Sequence, residues 1–393
     1  MRTTGRRVRA LFLGGLALAV APSTAAQEPA GSPPAGTNAV QDSDVVAPAG
    51  DEGESSFQWT RARLNGRFVG WWRSVSQDGV DTSDYEVDNA RLTLHWRPAR
   101  WLRAQVEYDV AMNSKLKDAF VTLRTDLLSL RGGQFKPPFS VVAMDSRWDL
   151  PISDRGQLDL VLRDSLGIIG RRPGLQVGYQ PRGGDTRAFL GVFRASSGRG
   201  DRIGDGSFND LDDDWALKLT GRVQHERKRL RLGLSGDYRP AEPLPGEGDQ
   251  HFWTLGADAA WRQGQKQGGW RLWSEGFLGS SWQDSNPFDG VNATFVGGQV
   301  IGAWRYGGRK DHAFYVEPYT LLSVFDPDTK VRDDVLWEAA GGVNVGRWDQ
   351  VRVTIEVQRR GAGVNTPLSL GFVFDDEPPF SRTGLVLQIG AVF

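Results

Sequence analysis

The sequence predicts an all-β fold: a transmembrane antiparallel β-barrel of about 16 strands with a long inward-folding loop after strand 5. Three observations predict it. The N-terminus signals export, yet nothing after residue 26 approaches the ~18 consecutive apolar residues of a membrane helix. From residue 57 onward, apolar side chains recur at every second position, in columns of about ten residues rather than the five or six usual in soluble sheets. The connections between these columns alternate long and short, as in barrels with tight turns at one rim and loops at the other. A soluble sandwich would also alternate, but it rarely sustains strands of that length with so charged a second face.

Residues 1–26 read as a secretory signal peptide. Arg2, Arg6, Arg7 and Arg9 precede the apolar run ALFLGGLALAVA (10–21), and STAA (23–26) offers small residues for cleavage. Residues 27–56 are rich in Pro, Ala, Gly and Ser. They carry Glu28, Asp42, Asp44, Asp51, Glu52 and Glu54 and no Lys or Arg. Such a segment buries too little apolar surface to offset its ordering entropy, so it is expected to be a disordered periplasmic linker. Residues 57–393 are the barrel. With 47 Lys+Arg against 48 Asp+Glu, the charge balance calls for no nucleic-acid partner, and the absence of Cys removes disulfides and thiolate metal sites.

The first strand is expected over 59–73. RARLNGRFVGWWR (61–73) puts Arg61, Arg63, Asn65, Arg67 and Arg73 on one face and Ala62, Leu64, Phe68 and Trp72 on the other. A long connection follows at 74–85. The columns Ala90/Leu92/Leu94/Trp96 and Leu102/Ala104/Val106/Tyr108 flank a tight turn at 98–100. A short link at 112–116 breaks the alternation, and a tight turn at 125–128 precedes the fifth strand. The longest connection, 137–165, follows. Strands near 166–180, 186–195, 270–280 and 311–322 are less cleanly phased than those carrying Leu230/Leu232/Leu234, Trp253/Leu255/Ala257, Val351/Val353/Ile355 and Leu385/Leu387/Ile389.

A cation facing lipid at mid-bilayer costs ~2–4 kcal/mol, whereas one facing an aqueous lumen stays hydrated. The arginine faces are therefore expected to line the lumen: Arg61, Arg63 and Arg67, then Arg91 with Thr93, His95 and Arg97, then Arg103 with Gln105, Glu107 and Asp109. Arg131 and Lys136 are expected to join them, with Gly132–Gly133 allowing a bulge. Across the seam, Arg352, Thr354, Glu356, Gln358 and Arg360 are expected to line the lumen as well. A barrel of this size encloses an aqueous channel, which the 137–165 loop would narrow. That loop brings Asp145, Arg147, Asp149, Asp154 and Arg155 to the constriction. A column of guanidinium groups concentrates anions and offers successive weak sites along a path. An acidic loop facing a basic wall would instead set up a transverse field with little ion selectivity.

LRGGQFKPPFS (130–140) resembles a run of the phosphate-selective porin family of Gram-negative outer membranes, matching at Gly133, Gln134, Phe135, Lys136, Pro138 and Phe139. KLKDAFVTLR (115–124) is similar to the preceding family strand. GRRPGLQVGY (170–179) resembles a third family run, with Arg172 where the family has Asp, and the C-terminal GLVLQIGAVF resembles the signal read by the barrel assembly machinery through its last aromatic, Phe393. The resemblance implies a homotrimeric outer-membrane barrel of sixteen strands that passes phosphate-like anions along an arginine ladder, in contact with lipid and without a cofactor. It also adds Lys117 to the basic lining. Two further readings stay open: a weakly selective general diffusion porin, and a non-conducting structural or adhesive barrel. An enzyme is not expected, because His95, His225, His251 and His312 are the only histidines and none has a nucleophile partner or metal-ligand spacing.

Overall fold

The computed structural model describes residues 62–78, 80–111, 115–181, 183–195, 217–240, 251–262, 268–281, 293–307, 314–347, 350–366 and 379–393. The signal peptide, the 27–56 linker and Arg61 lie outside the described residues.

Sixteen strands close into one antiparallel barrel in which every strand pairs with its sequence neighbours and β1 pairs with β16. The first half comprises β1 (Ala62–Gln77), β2 (Val80–Ala99), β3 (Leu102–Asp109), β4 (Lys115–Arg124), β5 (Leu128–Phe135), β6 (Arg172–Tyr179), β7 (Thr186–Arg194) and β8 (Leu217–Arg227). The second comprises β9 (Leu230–Pro240), β10 (His251–Arg262), β11 (Gly269–Ser281), β12 (Ala293–Gly307), β13 (Phe314–Asp326), β14 (Leu336–Arg347), β15 (Val351–Ala362) and β16 (Phe380–Val392). The period-two pattern sets which face is wet. On β1 the even-numbered Leu64, Phe68 and Trp72 are exposed on the outside, whereas odd-numbered Val69 is 4% exposed within. The seam closes where Gly66 and Phe393 exchange backbone hydrogen bonds of 2.7 and 3.0 Å, with the Phe393 ring lying in the space a Gly66 side chain would fill.

Three expectations need correction. The 74–85 connection is strand: β1 runs to Gln77 and β2 starts at Val80, so a long hairpin replaces a loop. Its residues escape the apolar alternation because its upper part faces water on both sides and needs only backbone pairing. The strand expected from 166 starts at Arg172. Leu166, Ile168 and Ile169 are apolar because they pack inside the lumen, not because they face lipid. No bulge forms at Gly132–Gly133, where β4 and β5 stay in register. Gly133 is required for another reason: at φ 127°, an added Cβ would lie 2.2 Å from the Ala119 carbonyl oxygen. Bulges occur instead at Asp88, between the Val69–Asn89 and Gly70–Val87 pairs, and at Lys117, opposite Glu107–Tyr108. Gln134 Nε2 caps the second bulge by donating to the carbonyls of Leu116 and Lys117 at 2.7 and 2.9 Å.

The long loop between β5 and β6 folds into the barrel. It contains two short helices, α1 (Val141–Met144) and α2 (Gln157–Leu160), the latter running into a π-helical turn, Val161–Ser165. Its apolar side builds a core inside the lumen. Leu158, Val161, Leu162 and Leu166 pack with Phe277, Phe295, Phe325 and Leu336, and Val141, Val142, Leu150 and Ile152 pack with Trp273, Ile301 and Leu321.

Candidate lumen constriction

Polar anchors fasten the loop to the β9–β16 side. The Asp145 carboxylate accepts from Arg231 Nη2 at 2.6 Å, from Arg262, and from Trp273 Nε1 at 2.9 Å. Ser140 Oγ donates to Glu275 at 2.6 Å, Ser153 Oγ to Glu356 at 2.5 Å, and Gln157 N to Glu338 at 2.5 Å. Asn344 Nδ2 donates to the Pro151 carbonyl at 2.6 Å and Arg352 Nη1 to that of Leu150 at 2.7 Å. The Asp149 carbonyl accepts from Arg271. On the covered wall Glu317, Glu338, Asn344, Thr354 and Glu356 are 2% exposed or less.

The uncovered side carries the cations of β1–β5. Arg63 Nε donates to Asn65 at 2.9 Å and Arg103 Nη2 to Gln105 at 3.1 Å. Arg131 lies over the Phe120 and Phe135 rings, 4.6 and 5.3 Å from their centroids, and donates to Thr122 at 3.2 Å. Lys136 Nζ donates to the Ala143 carbonyl at 2.7 Å and so joins the loop to the end of β5. Lys117 is buried at the β4 bulge beside Asp118. Arg97 is exposed beside the register break at the end of β2.

Where loop and wall meet, arginines gather. Arg67 meets Ser146 Oγ at 3.4 Å and, among the described residues, no carboxylate. The charges acting on it most strongly are those of Arg91, Glu107, Arg147 and Arg171. Arg147 pairs with Asp88 at 2.5 Å. Arg91 pairs with Asp109 at 2.9 Å and Glu107 at 3.1 Å, and Arg171 with Asp118 at 2.8 Å and Glu107 at 3.0 Å. Arg155 donates to the carbonyls of Val142 and Asp145 at 3.1 and 2.7 Å. Burial pulls its guanidinium down to about 10.

Of the loop's acids, Asp145 turns away from this basic wall and points to Arg231 and Arg262. Burial works to raise its carboxyl, but those arginines hold it well below the usual carboxylate range. Asp159 and Asp164 pair with Arg163 at 3.4 and 2.9 Å. Asp154 takes a backbone bond from Arg155 N at 2.7 Å. Burial opposes its ionisation too, yet the charges of Arg147 and Arg360 hold it at about 2.

Three participants were absent from the sequence-derived set: Arg171, Asp88 and Asp118. Arg171 stands in the run GRRPGLQVGY, but that run read as strand throughout, which hid its place on the inward loop. Asp88 reaches the lumen only through the bulge beside it. Arg172 is fully buried and shares the neighbourhood of Lys218, Asp237 and Arg239.

Residues 61–238 match the family model described as phosphate-selective porin O and P. The fold is shared with solved porins. The anion-selective porin from Comamonas acidovorans is 14% identical over 84% of this chain and 99% of its own, with a TM-score of 0.56. The outer membrane channel DcaP of Acinetobacter baumannii is 13% identical over 86% of this chain and 100% of its own, at 0.59. OmpT of Vibrio cholerae in its trimer form is 9% identical over 84% and 99%, at 0.53. At these identities the likeness is one of fold. No curated protein matches the chain.

Proposed function

We propose that this outer-membrane channel passes small phosphate-like anions past a cationic constriction, a reading supported by the match of residues 61–238 to the family model described as phosphate-selective porin O and P. One observation carries the reading: Arg67 faces the lumen without a carboxylate partner among the described residues, within a group that includes Arg91, Arg147 and Arg171. Guanidinium is weakly hydrated and its planar fork suits phosphate and carboxylate oxygens. Arg63, Arg103 and Arg131 extend the cationic track, and an anion reaching Arg67 exchanges hydration for donors already in position.

In this reading residues 1–26 export the chain, 27–56 remain a spacer in the periplasm, and the barrel sits in the outer membrane of a Gram-negative cell. Phe393 serves as the end read by the assembly machinery, and the barrel assembles as a homotrimer like the OmpT form.

The test is the zero-current potential of the purified protein in a planar bilayer under a potassium chloride gradient. An anion-selective sign is expected, with added phosphate blocking chloride current; a cation-selective sign overturns the proposal. A weakly selective general pore is the second reading. It is favoured by the neutralisation of Arg91, Arg147 and Arg171 by four acids, and a potential near zero would establish it.

A further inference from the structure

The acids of the constriction are not equivalent. Asp109 and Asp118 are 0% and 5% exposed. Asp109 accepts from Arg91 Nε at 2.9 Å and from the backbone N–H groups of Ala90 and Ala111 at 3.1 and 3.3 Å. Asp118 takes two bonds from Arg171, at 2.8 and 3.2 Å. Each therefore aims one guanidinium. Glu107 is held differently. One of its oxygens, Oε1, bridges Arg91 Nη1 at 3.1 Å and Arg171 Nη2 at 3.0 Å, and the other accepts from the Thr93 hydroxyl at 3.3 Å. Unlike those of Asp109, its oxygens accept no backbone N–H among the described residues. The four cations whose charge it feels most are Arg171, Arg91, Arg67 and Lys136.

A carboxylate bridging two guanidiniums, and drawn also by the charges of Arg67 and Lys136, occupies the position a permeating oxyanion would take. We propose that the seat of Glu107 is an anion-binding subsite and that Glu107 is its tethered competitor. A passing phosphate or carboxylate displaces the Glu107 carboxylate from Arg91 and Arg171, while Asp109 and Asp118 keep both guanidiniums in place. The glutamate then returns and expels the anion. Competition of this kind keeps affinity low enough for release, which a conducting site requires. The subsite rests on the anion-channel reading above and names the residue that sets its affinity.

The experiment compares wild type with Glu107→Gln in planar bilayers, with inorganic phosphate as the probe against chloride current. Heat-modifiable migration in detergent gels checks assembly of each barrel. The glutamine keeps the shape but removes the competing charge. Its half-blocking phosphate concentration should fall at least tenfold, and individual block events should lengthen. Glu107→Asp, which withdraws the charge by one methylene, should fall between the two and serves if the glutamine variant fails to assemble. A merely structural glutamate predicts the reverse: loosened arginines and weaker block. Unchanged or weaker block in both assembled variants overturns the subsite while an anion-selective wild type stands. A cation-selective wild type overturns the channel reading itself.

Discussion

Arg67 and Gly133 show how much rests on single side chains. Arg67 has no ion-pair partner among the described residues, so its loss breaks no salt bridge. Arg67→Gln is expected to lower the anion-to-cation permeability ratio several-fold while leaving heat-modifiable migration unchanged; an unaltered zero-current potential would remove it from the conduction path. Gly133 is structural. Its φ of 127° and the 2.2 Å approach of the Ala119 carbonyl to an added Cβ leave no room for a side chain. Gly133→Ala should cost about 1–3 kcal/mol through backbone strain. Urea titration of the folded barrel would register this as an earlier midpoint, and no shift would show that β4 and β5 move apart freely.

At the scale of elements, the loop between β5 and β6 decides the shape of the lumen. Its hold depends on Asp145, which answers Arg231 and Arg262 together. Removing one member of a buried ion-pair group leaves the others uncompensated, at a cost of about 3–5 kcal/mol. Asp145→Asn should therefore loosen the loop, and single-channel records should show added open-channel noise; quiet, wild-type currents would count against this anchor. Acid should act in the same direction. Asp145 is held below the ordinary carboxylate value, and Asp154 is held at about 2. A depressed carboxyl contributes stability that is fully present above its unfolded value, about 4, and is lost as pH falls through the folded one. Current noise should rise as pH falls below about 4. The same loop explains why strands near 270–280 and 311–322 blurred the alternation. On β11 and β13 the inward Trp273, Phe277, Tyr319 and Leu321 are buried under the loop or against its neighbours, so both faces are apolar.

For the molecule as a whole, closure depends on the pairing of β1 with β16, from Arg67–Val392 to Gln77–Arg382. Phe393 extends this pairing by two backbone bonds to Gly66 and fills the glycine gap with its ring. Deleting Phe393 should lower the temperature at which the barrel loses its compact gel mobility, with little change in conductance once it is folded. An unchanged transition temperature would limit the role of this residue to assembly.

Amino-acid order alone determined the barrel, its lumen parity on β1–β3 and the existence of an inward loop. Each follows from period-two alternation and from the lengths of connections, which are local properties of the chain. Tertiary structure decided which charges remain unpaired. Arg171 meets Glu107, Arg147 meets Asp88, and Asp145 meets Arg231 and Arg262 across separations of 59 to 117 residues. No local pattern encodes such partners, because they come together only when the loop packs on a closed wall. A bulge at Asp88 or Lys117 is equally hidden, since a register shift depends on how two strands meet.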